Sequence, residues 1–86
     1  MYKTVLHRNA AKFYEAAEKK DKARIARAIE EISKNPRANI HIKKLQGELG
    51  HMYRYRLGEL RILFEIHDDI RTIRIKSIDS RGSAYK

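Results

Sequence analysis

The sequence has no cysteine, a single proline and only four glycines. Without cysteine the chain can form neither a disulfide framework nor a thiolate metal site. Small secreted domains usually need such crosslinks, so we expect a protein of the reducing cytoplasm. No apolar run approaches the roughly 20 residues of a membrane span, and residues 1–7 are too short and too polar for a signal peptide. We therefore expect no membrane-spanning segment.

Positive charge is what the sequence has in excess. Its 86 residues include 20 Lys and Arg against 11 Asp and Glu, a formal net charge of +9. This surplus favours an anionic partner, such as a nucleic acid, a membrane surface or an acidic protein, although a thermophile's charged surface is an alternative explanation. The length predicts one domain, residues 1–86, with a single thin core.

The four histidines do not indicate a metal site, because they are scattered along the chain without the spacing of zinc ligands. We accordingly expect neither a metal nor another cofactor. His51 lies a few residues before a basic segment and could reach a site there, but a plain surface histidine is the simpler interpretation.

The predicted elements come in the order strand, helix, helix, strand, strand, strand. Residues 2–7 alternate weakly, and two stretches with apolar side chains at helical spacing follow on either side of residues 19–21. Pro36 ends the second helix, because the residue before a proline avoids the α conformation. Residues 37–51 are expected to be irregular. Three strands follow, at 52–57, 60–67 and 70–78.

Two helices can cover only one face of a small sheet. The predicted fold is therefore α+β, with two N-terminal helices packed on one face of a small, mostly antiparallel four-stranded sheet. The covered face is expected to be the apolar one, which carries Tyr55, Ile62 and Ile75. The opposite face, called the open face below, is expected to stay in water.

The dipeptide Gly58–Glu59 predicts a tight hairpin, since glycine at the first loop position suits a type II′ turn. Its two-residue loop places Arg56 opposite Arg61. Asp68–Asp69 is expected to close a second hairpin onto residues 70–78. The facing pairs predicted there are Arg61 with Lys76 and Ile62 with Ile75.

These alignments place two rows of side chains on the open face. The rows are Arg56, Arg61 and Lys76, followed by Arg54, Leu63 and Arg74. Like charges directly opposite each other destabilise a sheet. A sequence that places three cations side by side therefore indicates an anion-binding surface.

Three segments, taken in order, carry a family resemblance. They are a Leu-x-Gly turn at 45–47 with Lys44 before it, the basic hairpin 53–62, and the ending 80–86 with Arg81 and Tyr85. Together they resemble a RelE-type toxin of the RelE/ParE toxin–antitoxin superfamily. The resemblance covers nearly the whole chain in element order and length, and archaeal-looking members share the arginine pattern.

The resemblance implies an mRNA interferase, a ribosome-dependent and metal-independent endoribonuclease that cuts mRNA in the ribosomal A site and inhibits translation. The RNA 2′-hydroxyl attacks the adjacent phosphate and leaves a cyclic phosphate. The partners implied are mRNA on the ribosome, with its ribosomal RNA, and a cognate antitoxin, which we expect to have an acidic or amphipathic helix. Operator DNA is expected to be bound only through the antitoxin, and no membrane is expected among the partners.

The predicted catalytic residues combine the resemblance with the predicted rows. Arg61 is expected to clamp the scissile phosphate through two hydrogen bonds, with Arg56 opposite sharing it. The resemblance assigns Arg81 to the developing charge or the leaving group, and Tyr85 to base stacking or hydrogen bonding. The expected RNA-binding residues are Lys44, which touches ribosomal RNA, and Arg54, Arg74 and Lys76.

The general base is a departure from the family pattern. Arg54 and Arg56 stand where members often have lysines, one of which is assigned as the base. Arginine is not deprotonated in proteins, so Arg56 can stabilise charge but is a poor base. Lys76 is one candidate for that role, and catalysis by alignment and electrostatics without a strong base is the other.

Two further functions stay open. A ParE-like inhibitor of DNA gyrase would bind a protein and would need no phosphate clamp on its sheet. A non-catalytic member would bind its antitoxin and act as a co-repressor. The predicted cluster of arginines with Tyr85 favours the ribonuclease, whereas arginine in place of the usual lysines leaves room for the non-catalytic member.

Overall fold

Five strands and two helices follow one another in residues 1–80, the part of the chain that the computed structural model describes. In chain order they are β1 (Lys3–Leu6), α1 (Arg8–Ala16), α2 (Lys19–Lys34), β2 (Ile42–Lys44), β3 (Met52–Leu57), β4 (Leu60–His67) and β5 (Thr72–Ser80). The sheet order is β1-β5-β4-β3-β2, with β1 parallel to β5 and the other neighbouring pairs antiparallel. The predicted α+β fold is confirmed, but the sheet has five strands instead of four. The additional strand, β2, lies in the segment that the sequence predicts to be irregular.

One face of the sheet forms the core with the two helices. α1 contributes Ala10, and α2 contributes Ile25, Ala28 and Ile32 at helical spacing. They pack on buried side chains of the three central strands, which are Tyr55, Leu60, Ile62, Phe64, Ile73, Ile75 and Ile78. The predicted covered face is thus confirmed, and the open face carries neither helix.

The β3–β4 hairpin has the predicted register, with Arg56 opposite Arg61 and Tyr55 opposite Ile62. Gly58 has a φ of 61°, whereas Glu59 does not have a positive φ. A type II′ turn requires a positive φ only at its first loop position. The local sequence therefore accounts for this turn and for the alignment that follows from it.

The β4–β5 hairpin departs from its predicted register for two reasons. Its turn is longer than the predicted two residues. A 3₁₀ turn at Asp68–Ile70 is followed by Arg71, which has a φ of 50°, and β5 starts at Thr72. A β-bulge then shifts the register by one more residue. Ile75 and Ile78 are both buried but three residues apart, and only an extra residue between them lets both face the core.

Three predicted neighbours are therefore wrong. Phe64 pairs with Ile75 and Leu63 with Ser77, which leaves Lys76 as the extra residue of the bulge. Beyond the bulge, Ile62 faces Ile78 instead of Ile75, and Arg61 faces Asp79 instead of Lys76. Before the bulge, Arg74 faces Glu65 and does not share a row with Leu63.

Asp68 joins three segments at one end of the sheet. Its carboxylate accepts a hydrogen bond from the Tyr2 hydroxyl at 2.6 Å and another from Arg37 Nη2 at 2.8 Å. The hydrogen bond from Arg37, followed by that from Tyr2, holds the pKa of Asp68 below its ordinary value, and the same pairing raises the pKa of Arg37. These contacts connect the start of the chain, the loop after α2 and the β4–β5 turn.

We expect Asp68→Asn to lower the free energy of unfolding at neutral pH. In acid, the difference in stability between the wild type and this variant should disappear. Because the folded-state pKa of Asp68 is lowered, its contribution is present above the ordinary carboxyl pKa of about 4. That contribution disappears as the pH falls through the folded-state pKa. Urea unfolding at about pH 7 and about pH 2.5 measures it. Asp69→Asn, at an exposed neighbour, is the control, and a wild-type advantage of equal size in acid would contradict the explanation.

Candidate functional site

The open face is strongly cationic. Successive side chains of a strand point to opposite faces, so the residues between the core positions lie on the open face. On β2 to β5 the open-face cations outside the bulge are Lys43, Arg54, Arg56, Arg61 and Arg74. Within residues 1–80 only Arg61 of this set forms an ion pair with a carboxylate.

Arg56 and Arg61 face each other as predicted, but Asp79 occupies the third place in their row. Arg61 Nε lies 3.9 Å from Asp79 Oδ1. The carboxylate therefore offsets part of the charge on Arg61, whereas Arg56 has no carboxylate partner within residues 1–80. The predicted row of three cations is wrong, because Lys76 is taken up by the bulge.

A groove of about 430 Å³ lies at the β2–β3 edge of the sheet, beside cations that form no ion pair with another described residue. It is lined by Ile40, His41, Ile42, Lys43, Arg54, Arg56 and Gly58. Within residues 1–80, Arg54 Nε is buried without a hydrogen-bond partner. A buried donor left unsatisfied costs about 1–3 kcal/mol, and the side chain that carries this donor lines the groove.

Lys43, which the sequence does not single out, is the direct neighbour of Arg54 between β2 and β3. Lys44 is predicted to lie on a loop but is the last residue of β2, where it pairs with Tyr53. Tyr53 packs against the core. Because adjacent residues of a strand face opposite sides, Lys43 belongs to the open face and Lys44 does not. Three residues are too few for alternation to reveal this strand in the sequence.

Glu65 is an open-face carboxylate that the sequence does not single out. Its side chain is 17% exposed and meets two imidazoles. His67 Nε2 is 3.1 Å from Oε1, and His51 Nε2 is 3.4 Å from Oε2. Arg74, its direct neighbour on β5, forms no ion pair with it. Two histidines therefore engage this carboxylate, and Arg74 stays available to another anion.

The tyrosines of β3 belong to the core, as their strand positions predict. Tyr55 is buried, and its hydroxyl donates a hydrogen bond to Glu31 Oε1 at 3.2 Å. Burial, followed by the negative charge of Glu31, raises the pKa of Tyr55 to about 12. Tyr53 stacks on Phe64 with ring centroids 5.7 Å apart.

The predicted site residues Arg81 and Tyr85 lie outside the described residues.

The chemistry that this face supports is anion binding. Guanidinium groups match the geometry of phosphate and can donate two parallel hydrogen bonds to it. In the described residues, no cluster of three or more His, Asp or Glu side chains is arranged to hold a metal ion. Over the same residues, no helix has the length and apolar character needed to cross a membrane.

Comparison with known proteins gives one family and a set of similar structures. The sequence profile of the family described as "ParE toxin of type II toxin-antitoxin system, parDE" matches residues 5–85. A comparison with curated protein sequences gives no significant match.

Three of the similar solved structures are toxin–antitoxin complexes. The RelBE2 complex from Mycobacterium tuberculosis contains a chain 25% identical to this one, with a TM-score of 0.81 over 93% of this chain and 98% of that chain. The archaeal RelE-RelB complex from Pyrococcus horikoshii OT3 gives 25% identity and a TM-score of 0.76, over 94% and 96%. The RelB-RelE complex from Methanococcus jannaschii gives 28% identity and a TM-score of 0.70, over 94% of each chain.

Proposed function

The chain belongs to the ParE toxin family and is a toxin of the RelE/ParE type, and from this premise we propose that it is a ribosome-dependent endoribonuclease. It cuts mRNA in the ribosomal A site, where the 2′-hydroxyl of one nucleotide attacks the following phosphate and leaves a cyclic phosphate. The reaction is independent of metal and takes place in the cytoplasm.

One observation carries this proposal. Arg54 Nε is buried without a partner in residues 1–80, beside two unpaired cations, Lys43 and Arg56. Buried polar groups are satisfied in most folded proteins, so an exception calls for an explanation. The side chain of Arg54 lines the groove, and a phosphate bound there would draw the guanidinium toward it and accept its hydrogen bonds. A single RNA strand laid along β3 would bring successive phosphates past Arg56 and Arg54.

Arg61, with Arg56 and Arg54, is the proposed clamp on the scissile phosphate. Asp79 Oδ1 lies 3.9 Å from Arg61 Nε, too far for a hydrogen bond, so the guanidinium group of Arg61 can turn toward phosphate oxygens. Positive charge placed there stabilises the negative charge that develops as the 2′-oxygen attacks. Arg74 and Lys76 bind flanking RNA, Lys44 contacts ribosomal RNA, and Arg81 and Tyr85 keep the roles that the family resemblance implies.

The cognate antitoxin is the second proposed partner. The similar archaeal structures are complexes of RelE with RelB. An acidic or amphipathic helix would complement the positive charge of the open face and cover the groove. Operator DNA would then be bound only through the antitoxin.

Inhibition of DNA gyrase is the second candidate function, because the matching family profile is that of ParE toxins. A protein-binding inhibitor has no need for an unpaired guanidinium in a groove on its sheet. A non-catalytic co-repressor would use the same cations to bind the acidic helix of its antitoxin, so the groove does not separate it from the ribonuclease, whereas a cutting assay does. The cations around the groove, which form no ion pair within residues 1–80, therefore favour the ribonuclease over inhibition of gyrase.

Primer extension on translated mRNA, with the wild type and Arg61→Ala, tests the proposal. We expect position-specific cuts in the A site, and a rate about 10²–10³-fold lower for the variant, as for loss of one donor at a developing oxyanion. Arg8→Ala removes the same side chain from α1 and should cut like the wild type. Gyrase-dependent DNA breaks with intact mRNA would support gyrase inhibition. Intact mRNA with tight antitoxin binding would support the non-catalytic co-repressor.

A further inference from the structure

The sequence leaves two possibilities open, catalysis with a base and catalysis by alignment and electrostatics alone. The first requires a group other than the arginines of the open face, which cannot act as bases. Lys76, the candidate named from the sequence, is the extra residue of the bulge and does not lie opposite Arg61. Asp79 lies on β5, beside Arg61 and two strands away from Arg54. A different group of proton acceptors lies on the same face, where Glu65 contacts His51 and His67.

Glu65 and His51 lie one step along the sheet from Arg54. Glu65 pairs with Met52 and Arg54 pairs with Leu63, so Glu65 and Arg54 are diagonal neighbours on the open face. Diagonal neighbours lie about 7–8 Å apart, within reach of long side chains. His51 precedes Met52, and its side chain is 61% exposed. A phosphate bound to Arg54 would therefore have an accessible imidazole on one side.

On the other side of Arg54 lies the row formed by Arg56 and Arg61. Arginine side chains are long enough to reach a group one row away. A phosphate over Arg54 is thus bordered by guanidinium groups toward the β3–β4 turn and by His51 toward the start of β3. This is the arrangement of charge and base that in-line attack by a 2′-hydroxyl requires.

We propose that His51, oriented by Glu65, is the general base and that the scissile phosphate lies over Arg54. This assignment rests on the proposed ribonuclease function. Glu65 Oε2 faces Nε2 of His51 at 3.4 Å, so Nδ1 is left to accept a proton. The contact is long for a hydrogen bond, and contacts between catalytic groups commonly tighten when substrate binds.

Nδ1 of His51 accepts the 2′-hydroxyl proton as the 2′-oxygen forms its bond to phosphorus. The bond from phosphorus to the 5′-oxygen breaks, and the 5′-oxygen takes a proton from water. The imidazolium then returns its proton to the solvent, which restores the base. Arg54, with Arg56 and Arg61, stabilises the charge on the phosphate oxygens during this exchange.

The charged groups around the pair come from several elements. Arg54 lies on β3, Arg74 opposite Glu65 on β5, and His67 two residues along β4. Glu48 lies in the 3₁₀ turn that precedes His51. An imidazole is a base only when neutral, and imidazoles change charge near physiological pH. The cutting rate should therefore decline toward acid.

Single-turnover cutting of mRNA on programmed ribosomes, measured from about pH 5.5 to about pH 8.5 across the range in which imidazoles titrate, tests the role of His51. We expect His51→Ala to cut about 10²–10⁴-fold more slowly than the wild type at neutral pH. The ratio of variant to wild-type rate should rise toward acid, because only the wild type loses its base there. Comparing rates at equal pH cancels the ribosome's own pH response.

Glu65→Gln distinguishes a positioning residue from a merely structural one. This variant should cut more slowly than the wild type but faster than His51→Ala. The double variant should be no slower than His51→Ala, because Glu65 acts through His51. Additive losses would overturn the pairing of the two residues.

His67→Ala is the matched control, since it removes the other imidazole that contacts Glu65. It should keep the rate and the pH dependence of the wild type. His51 is exposed, so thermal unfolding should confirm that its variant is folded. A His51→Ala protein with the rate and pH dependence of the wild type overturns the role of His51. A wild type that leaves mRNA intact overturns the ribonuclease function itself.

Discussion

Deletion of Arg74 is expected to remove much of the protein's stability, whereas deletion of Lys76 should leave it folded. A one-residue shift turns every side chain beyond it to the other face of a strand. Without Arg74, Ile73 would leave the core and Thr72 would take its place. Losing the packing of one buried isoleucine costs about 2–5 kcal/mol, against a total of about 5–15 kcal/mol for a typical domain.

Lys76 is different because it is the extra residue of the bulge. Its deletion leaves Ile75, Ser77 and Ile78 in regular alternation, so both isoleucines still face the core. Thermal unfolding followed by circular dichroism compares the two deletions. Amide hydrogen exchange in β4 and β5 then shows whether the shortened strand keeps its pairing. Equal losses of stability in the two proteins would contradict the bulge as the cause of the register shift.

The double substitution Arg54→Ala and Arg56→Ala is expected to slow mRNA cutting by about 10³-fold or more, since loss of one such donor costs about 10²–10³. The total should fall short of the product of the single effects, because the two guanidinium groups act on one phosphate backbone. Stability should be unchanged or higher, since the variant loses a buried donor that has no partner in residues 1–80. Loss of activity without loss of stability is typical of a functional site.

A matched double variant, Arg8→Ala and Arg27→Ala, removes two exposed arginines from the helices on the other side of the sheet. It has the same change in net charge and should cut at a rate close to that of the wild type. Primer extension gives the cutting rates of both proteins, and urea unfolding gives their stabilities. Similar losses of cutting in the two variants would show that net charge, and not the groove, accounts for the effect.

The first hairpin could be predicted because its information is local. A two-residue loop leaves no freedom in the register, and Gly58 provides the positive φ that the turn requires. The facing pair Arg56 and Arg61 follows from that loop alone. The alternation of β3 likewise predicts that Tyr55 is buried, which the structure confirms.

The second hairpin and β2 could not be predicted in the same way. Asp68–Asp69 suggests a two-residue loop, but Arg71 in the left-handed conformation lengthens the turn. The bulge depends on core packing, because Ile75 and Ile78 must both be buried. β2 is too short to show a pattern, and it forms where the edge of β3 offers hydrogen-bond partners.

By itself, the sequence determined the α+β class, the alignment of β3 with β4 and the cationic character of the open face. Each of these depends on residues that are close together in the chain or on composition. Only the tertiary structure decided which cations lack a carboxylate partner in the described part of the chain, by bringing Asp79 to Arg61, Lys43 beside Arg54, and His51 and His67 to Glu65. Most of these contacts join different strands or loops, and their alignment depends on a turn length and a bulge that core packing selects.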